Sequence, residues 1–272
     1  MKIIASLVLY KHQYADIEPT INSLINEETI SKIVIVDNGG ECRWLKDYIH
    51  PKIEILILKT NCGFGTGHNE VLRRYADKYE FTLICNPDIA FKSGEVDKLY
   101  HYSAINKIGL SIPKVTYPDG SLQHCCRLLP TPYQLFVRRF FTRLSSGINE
   151  TYELHKADLT QAFFAPSLSG CFMLISRDAL KVTKGFDPRF FLYLEDVDLS
   201  RRVSQSEFSV RYCPNSVVVH EAQRSSYQNK KFMIYHVVSA IKYFNKWGWF
   251  CDKERARLNQ KCLRQLPTKN RS

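Results

Sequence analysis

KIVIVDNGG, residues 32–40, sets the architecture. Residues 32–37 read as a buried strand that ends in Asp37, and Asn38-Gly39-Gly40 are turn formers. Working outward, IIASLVLY (3–10), IEILIL (53–58) and FTLIC (81–85) are strands of the same apolar kind. Between them, DIEPTINSLINEE (16–28) puts Ile17, Ile21, Leu24 and Ile25 at helical spacing, and residues 67–79 do so with Val71, Leu72 and Tyr75. Strands alternating with helices of this length predict an α/β fold with a mostly parallel central sheet flanked by helices. Ligands of such sheets sit beyond the carboxyl ends of the strands. Asp37, Asn61 and Asp88 each follow a strand end, so three segments aim polar groups at one crevice.

Further along, residues 94–107 read as a helix, and residues 108–118 as a short strand and a turn. Residues 124–148 are basic and aromatic, with Arg127, Arg138, Arg139 and Arg143 among Tyr133, Phe136, Phe140 and Phe141. They suit either packing on the core or a lid that meets acceptor or membrane. LSGCFMLIS (168–176) predicts a buried strand, and 208–213 and 217–219 predict two later ones, followed by His220. Residues 229–247 and 252–266 are helical in type.

Two stretches carry candidate chemistry. NCGFGTGHN (61–69) alternates Gly63, Gly65 and Gly67 before a helix. Such a turn either brings a ligand close to backbone amides or serves as a plain turn. It lacks the dinucleotide GxGxxG spacing and the phosphate-loop lysine, which argues against dehydrogenases and phosphate-loop ATPases. GFDPRFFLYLEDVDLSRRV (185–203) sets Glu195, Asp196 and Asp198 beside an aromatic run. Desolvated carboxylates need a cation, donors or a job. Asp196 as an N-cap with an acidic first turn is the structural alternative, and it is compatible with a functional one. If Asp88 and His220 share a crevice with Asp196, a divalent cation on the first two suits a diphosphate, and Asp196 suits a general base. Asp37 is then placed for a nucleobase or ribose.

The 272 residues allow one large α/β domain with elaborations or two small ones. No run of eighteen apolar residues predicts a membrane span, and MKIIASLVLY reads as a first strand and not a signal peptide. Nine cysteines without a CxxC pair predict reduced thiols in a cytoplasmic protein. Of the net charge of +11, residues 222–272 hold +10, from twelve Lys or Arg against Asp252 and Glu254. Aromatics interleaved with lysines there suit an anionic membrane surface, or amphipathic packing and a homo-oligomer contact. No zinc-finger spacing, helix-turn-helix or paired aromatic strand motif supports nucleic acid as a partner.

Taken together, SLVLY (6–10), IVIVDNGG (33–40), NCGFGTGHN, LICNPDI (83–89), LSGCFMLISRDAL (168–180), GFDPRFFLYLEDVDLSRRV and VVVHE (217–221) resemble the family 2 glycosyltransferases, especially the bacterial rhamnosyltransferase-like branch. The resemblance implies a glycosyltransferase-A fold over residues 1–221, with a nucleotide-sugar half to about 110, an acceptor half beyond it, and residues 222–272 as a basic, aromatic, helical tail. It implies inverting transfer from a nucleotide-diphosphate sugar with Mg2+ or Mn2+, onto a glycan in lipopolysaccharide, capsule or a related polymer. The branch favours dTDP-rhamnose; a UDP-hexose or UDP-N-acetylhexosamine is the alternative donor. By family role, Asp196 is the base and Glu195 positions acceptor or loop. Asp37, Asn61, Gly63, Gly65, Asn69 and Asp88 line the donor site, and Asp88 with His220 holds the metal. Asn86 stands where the family's metal motif often has its first Asp. The tail would hold a cytoplasmic enzyme near a lipid-linked acceptor on the inner membrane face. A sugar nucleotidyltransferase and a non-catalytic sugar-binding protein are the readings from other classes.

Overall fold

The computed structural model describes residues 2–140, 146–221 and 230–267. The chain runs β1 (Ile3–Leu9), α1 (Tyr14–Ile25), β2 (Ile30–Asn38), β3 (Ile53–Leu58), α2 (Phe64–Tyr75), β4 (Phe81–Cys85), β5 (Ile89–Ala90), α3 (Glu95–Ile105) and β6 (Ile108–Thr116). It continues through β7 (Cys126–Arg127), α4 (Pro132–Phe140), α5 (Ser146–Tyr152), β8 (Phe163–Phe164), β9 (Ser167–Leu168), β10 (Phe172–Ser176) and α6 (Arg177–Thr183). The last elements are α7 (Glu195–Ser204), β11 (Ser209–His220), α8 (Lys230–Trp247) and α9 (Lys253–Gln265).

The main sheet has the order β3-β2-β1-β4-β10-β6-β11-β5, with β8 added on β11. All seven residues of β1 are buried, as expected of a strand covered on both faces. From β3 to β4 every pairing is parallel. Beyond it the sheet is mixed, because β10 runs antiparallel to both β4 and β6, while β11 is parallel to β6. Apolar patterning marks a strand as buried and carries no direction.

Several boundaries differ from expectation. Residues 168–176 form two short strands, because the chain turns at Gly170-Cys171 before β10. The two strands expected over 208–219 are one strand, β11, whose register on β6 shifts between Cys213 and Val217. Helix α2 starts at Phe64 and so includes Gly65 and Gly67. Within 124–148, Phe141 and Arg143 lie outside the described residues, as do the side chains of Arg139 and Phe140.

Helices α8 and α9 join the main core through Tyr243, Phe244, Leu258 and Cys262. Their charges bind them to α7: Asp252 accepts from both terminal nitrogens of Arg201, at 2.6 and 2.7 Å. Asp198 accepts from Trp247 Nε1 at 2.8 Å and Arg202 Nε at 2.7 Å, with Lys246 Nζ at 2.6 Å. Asp198 is thus a buried anchor for α8 more than a helix-start charge. Among the described residues, no helix is long and apolar enough to cross a membrane, and all nine cysteines are free.

Candidate active site

The acids sit where the sequence stretch 185–203 turns into α7. Tyr193 (φ 71°) and Leu194 (φ 65°) are consecutive left-handed residues without being glycine. Such conformations persist where the surroundings over-determine them, and they gather at functional sites. The N-cap is Leu194, so the capping role expected of Asp196 is corrected: Asp196 is the second residue of the helix. Its Oδ1 accepts from the Val197 amide at 2.8 Å and its Oδ2 from the Gly170 amide at 2.9 Å. Burial raises the Asp196 pKa, against the pull of these amides and Arg127. Burial also raises Glu195 well above the carboxylate range, with the Asp196 charge adding to it. Glu195 Oε2 finds no hydrogen-bond partner among the described residues. Two adjacent acids are thereby biased apart, with Glu195 the more strongly held as the neutral acid. Both face a cavity of about 240 Å3 whose walls include Arg127, Arg138, Tyr152, Tyr193 and His236.

Asp88 and His220 come together at the ends of β4 and β11. His220 Nε2 lies 3.1 Å from Asp88 Oδ1, and Nδ1 lies 2.8 Å from Gln123 Oε1. Burial by itself would lower the His220 pKa, but Asp88 and Cys171 outweigh it and push it up to about 10. The backbone ties this pair to Asp196. Glu221 N donates to Asp88 O at 2.9 Å, and Asn86 N donates to Cys171 O at 2.8 Å, next to Gly170.

This donor set fits a hard divalent cation in part. One carboxylate and one imidazole meet, and no group of three His, Cys, Asp or Glu that could hold a metal occurs among the described residues. Mg2+ and its kin are commonly held by one or two protein ligands, with substrate phosphates and water completing the shell. Asp88 and His220 fit that arrangement, provided His220 gives up the proton that now faces Asp88.

The residues expected to line the donor site also make contacts within the protein. Asp37 accepts from the amides of Glu41 and Cys42, both at 3.1 Å, and so closes the loop after β2. Asn61 Oδ1 accepts from Gly63 N at 2.9 Å and Asn38 Nδ2 at 3.1 Å. A Cβ on Gly63 would collide with the Phe191 carbonyl, and one on Gly65 would stand 2.8 Å from Phe186 Cβ. The Phe64 amide donates to Phe191 O at 2.9 Å. Asn69 spans the backbone of Phe186, donating to its carbonyl at 2.8 Å and accepting from its amide at 2.9 Å. The close approach that Gly63 and Gly65 permit is made by the protein's own chain, at Phe191 and Phe186. The turn is the seat on which residues 186–191 are held before they deliver Glu195 and Asp196.

Gly170, Gln123 and Arg127 were missed as site residues. Gly170 sits inside an apolar run and Gln123 in a polar loop, so neither shows periodicity. Arg127 has a weak signal, as a cation between buried positions.

This mixed α/β fold places a carboxylate-lined cavity beside a carboxylate–histidine pair. The chain belongs to glycosyltransferase family 2: the model for "Glycosyltransferase like family 2" matches residues 25–234. It is 25% identical over 222 residues to an N-acetylglucosaminyl-diphospho-decaprenol L-rhamnosyltransferase of Mycobacterium tuberculosis, across 75% of this chain and 70% of that one. It is 23% identical to the rhamnosyltransferase WbbL of Escherichia coli K12, across 87% of this chain and 91% of the relative. The crystal structure of GalNAc-T7 with UDP, GalNAc and Mn2+ superposes with a TM-score of 0.59 at 13% identity. The match covers 80% of this chain and 43% of that larger one, and supports the glycosyltransferase-A fold.

Proposed function

We propose that this glycosyltransferase moves L-rhamnose from dTDP-rhamnose, with inversion, onto a hydroxyl of a lipid-linked glycan during synthesis of a surface polysaccharide. The rhamnosyltransferase names of two relatives support the sugar, and the diphospho-decaprenol of one supports the lipid. The observation that carries the chemistry is Asp196, fixed by two backbone amides at the wall of a cavity of about 240 Å3.

In this reading the acceptor hydroxyl enters the cavity and gives its proton to Asp196. Its oxygen bonds to the anomeric carbon from the face opposite the diphosphate, while the bond from that carbon to the diphosphate oxygen breaks. Burial raises the basicity of Asp196, which suits proton abstraction. Neutral Glu195 is able to donate a hydrogen bond to a second acceptor hydroxyl. Asp88 and His220 would hold Mg2+ or Mn2+, which would neutralise charge on the departing dTDP. Asp37 and Asn61 shape the strand ends against which the nucleoside lies. The enzyme would act peripherally on the inner face of the membrane.

A thermal-shift screen of nucleotide-sugars with and without Mn2+, followed by a transfer assay, tests this. dTDP-rhamnose should raise the Tm most, and more with the metal. A larger shift with UDP-glucose, UDP-galactose or UDP-N-acetylglucosamine would replace the donor. Pyrophosphate release from a nucleoside triphosphate and a sugar phosphate would mark a nucleotidyltransferase, and binding without turnover a sugar-binding protein.

A further inference from the structure

Beside the cavity of Asp196 lies a second one of about 440 Å3, and the two share Leu135 of α4 and His236 of α8. That volume is in the usual range for ligand sites, roughly 300–1,000 Å3. Its wall includes Phe136, Val237, Ile241, Trp249 and Phe250, and no Asp, Glu, Lys or Arg occurs among its lining residues. Phe136 is 55% exposed, Ile241 43% and Phe250 84%. A contiguous apolar surface of this kind marks an interaction site.

The polar cavity next to it is suited to an anion. Arg138 donates to Glu153 at 2.6 Å, and Arg127 Nε lies 4.0 Å from the same carboxylate oxygen. Arg127 Nε has no hydrogen-bond acceptor among the described residues. Two guanidinium groups thus share one carboxylate, and guanidinium matches phosphate oxygens in a bidentate fashion. The cavity that holds Asp196 thus also holds two guanidinium groups, and it adjoins the apolar groove at Leu135 and His236.

We propose that the groove takes the isoprenoid chain of a lipid-diphosphate-linked acceptor, with the diphosphate at Arg127 and Arg138 and the reacting sugar at Asp196. This deepens the function proposed above and rests on it. The continuity of groove and cavity through Leu135 and His236 is the argument for this occupant: a sugar diphosphate suits the cavity with its carboxylates and guanidinium groups, and the hydrocarbon chain joined to it suits the adjoining apolar groove. A bilayer face that binds lipid in bulk has no need of a groove opening toward the base.

The full chain is titrated with farnesyl diphosphate, and emission from Trp249 in the groove wall reports binding. A saturable blue shift should appear, be absent with inorganic diphosphate and vanish in Trp249→Phe. The double variant Ile241→Ser/Phe250→Ser, whose side chains are partly or largely exposed, should weaken the probe at least tenfold with its circular dichroism unchanged. For turnover, one sugar diphosphate is compared with a long isoprenoid and with a short alkyl chain. The long chain should lower KM at least tenfold, and the double variant should bring that ratio toward one. Equal KM for both chains would overturn the groove while transfer itself upholds the enzyme. Failure to transfer to either acceptor, with farnesyl diphosphate still saturable, would strike the proposed function and leave the lipid site standing. Equal binding to neutral phosphatidylcholine vesicles free of isoprenoid would assign the face to the bilayer and overturn the proposal.

Discussion

The amide of Gly170 donates to Asp196 Oδ2 at 2.9 Å, and a Cβ at position 170 would stand 3.2 Å from Asp196 Cβ. The turn after β9 is thus what fixes the proposed base. Asp196→Asn should lower kcat by about 10²–10⁴-fold while leaving the fold and donor binding intact. Gly170→Ala keeps the amide but crowds Asp196 Cβ and the ring of Phe64, 3.4 Å away. It should lower kcat about tenfold with donor affinity unchanged. Wild-type turnover in purified Asp196→Asn enzyme would remove Asp196 from the mechanism.

The pair of Asp88 and His220 makes a separate prediction about the donor. Asp88→Ala should weaken dTDP-rhamnose binding measured by calorimetry in the presence of Mn2+, and much less in its absence. Gln123 faces the other ring nitrogen of His220, so Gln123→Leu should reduce metal affinity about 10–100-fold, as loss of a partner that orients a ligand does. Titrations identical to wild type for Asp88→Ala would take Asp88 out of the donor site.

How much of this was legible in the chain differs by kind of residue. The strands from β1 to β4 were readable because they are apolar throughout and end in turn formers. Asp88, Asp196 and His220 stood out as candidates because acids and a histidine after apolar runs are expensive to bury without a role. The purpose of the glycines was not. Gly63 and Gly65 mark a close backbone approach, and sequence cannot say whether the approaching group is a phosphate or Phe191. Nor could it show that Asp252 would meet Arg201, since pairing across 51 residues leaves no local pattern. The tail therefore read equally as a membrane-facing surface or as amphipathic packing, and its Tyr243 and Leu258 are fully buried.

His68 gives a test in pH. Its ring is fully buried, with Nδ1 2.7 Å from Ser6 Oγ and Nε2 unpartnered among the described residues. Burial lowers its pKa from 6.5 to about 3. The unfolded chain takes up a proton below pH 6.5 and the folded one does not until about 3. Stability contributed by neutral His68 is therefore present above pH 6.5 and is lost as pH falls through that window, by up to about 1.4 kcal/mol per unit. Urea midpoints between pH 7 and 5 should fall more steeply for wild type than for His68→Asn. Parallel slopes would show that His68 does not titrate in this way.

The Arg201–Asp252 pair predicts the energetics of the C-terminal helices. Both side chains are nearly inaccessible, at 2% and 3%, and the guanidinium also lies 4.2 Å from the Trp247 ring centroid. Removing one partner leaves a buried charge without compensation, which typically costs 3–5 kcal/mol. Asp252 additionally caps α9 by accepting from Arg255 N at 2.9 Å, and loss of such a cap costs about 1 kcal/mol more. Asp252→Ala should therefore lower the urea midpoint sharply and loosen α8 and α9. Arg201→Met/Asp252→Asn removes both charges and retains a capping oxygen, so it should recover most of that loss. The wall of the cavity proposed for the acceptor includes Phe232 and His236 of α8, so acceptor KM should rise in Asp252→Ala before donor binding changes. If the single variant is as stable as wild type, or the double variant is no better than the single, the pair is not what fastens these helices to α7.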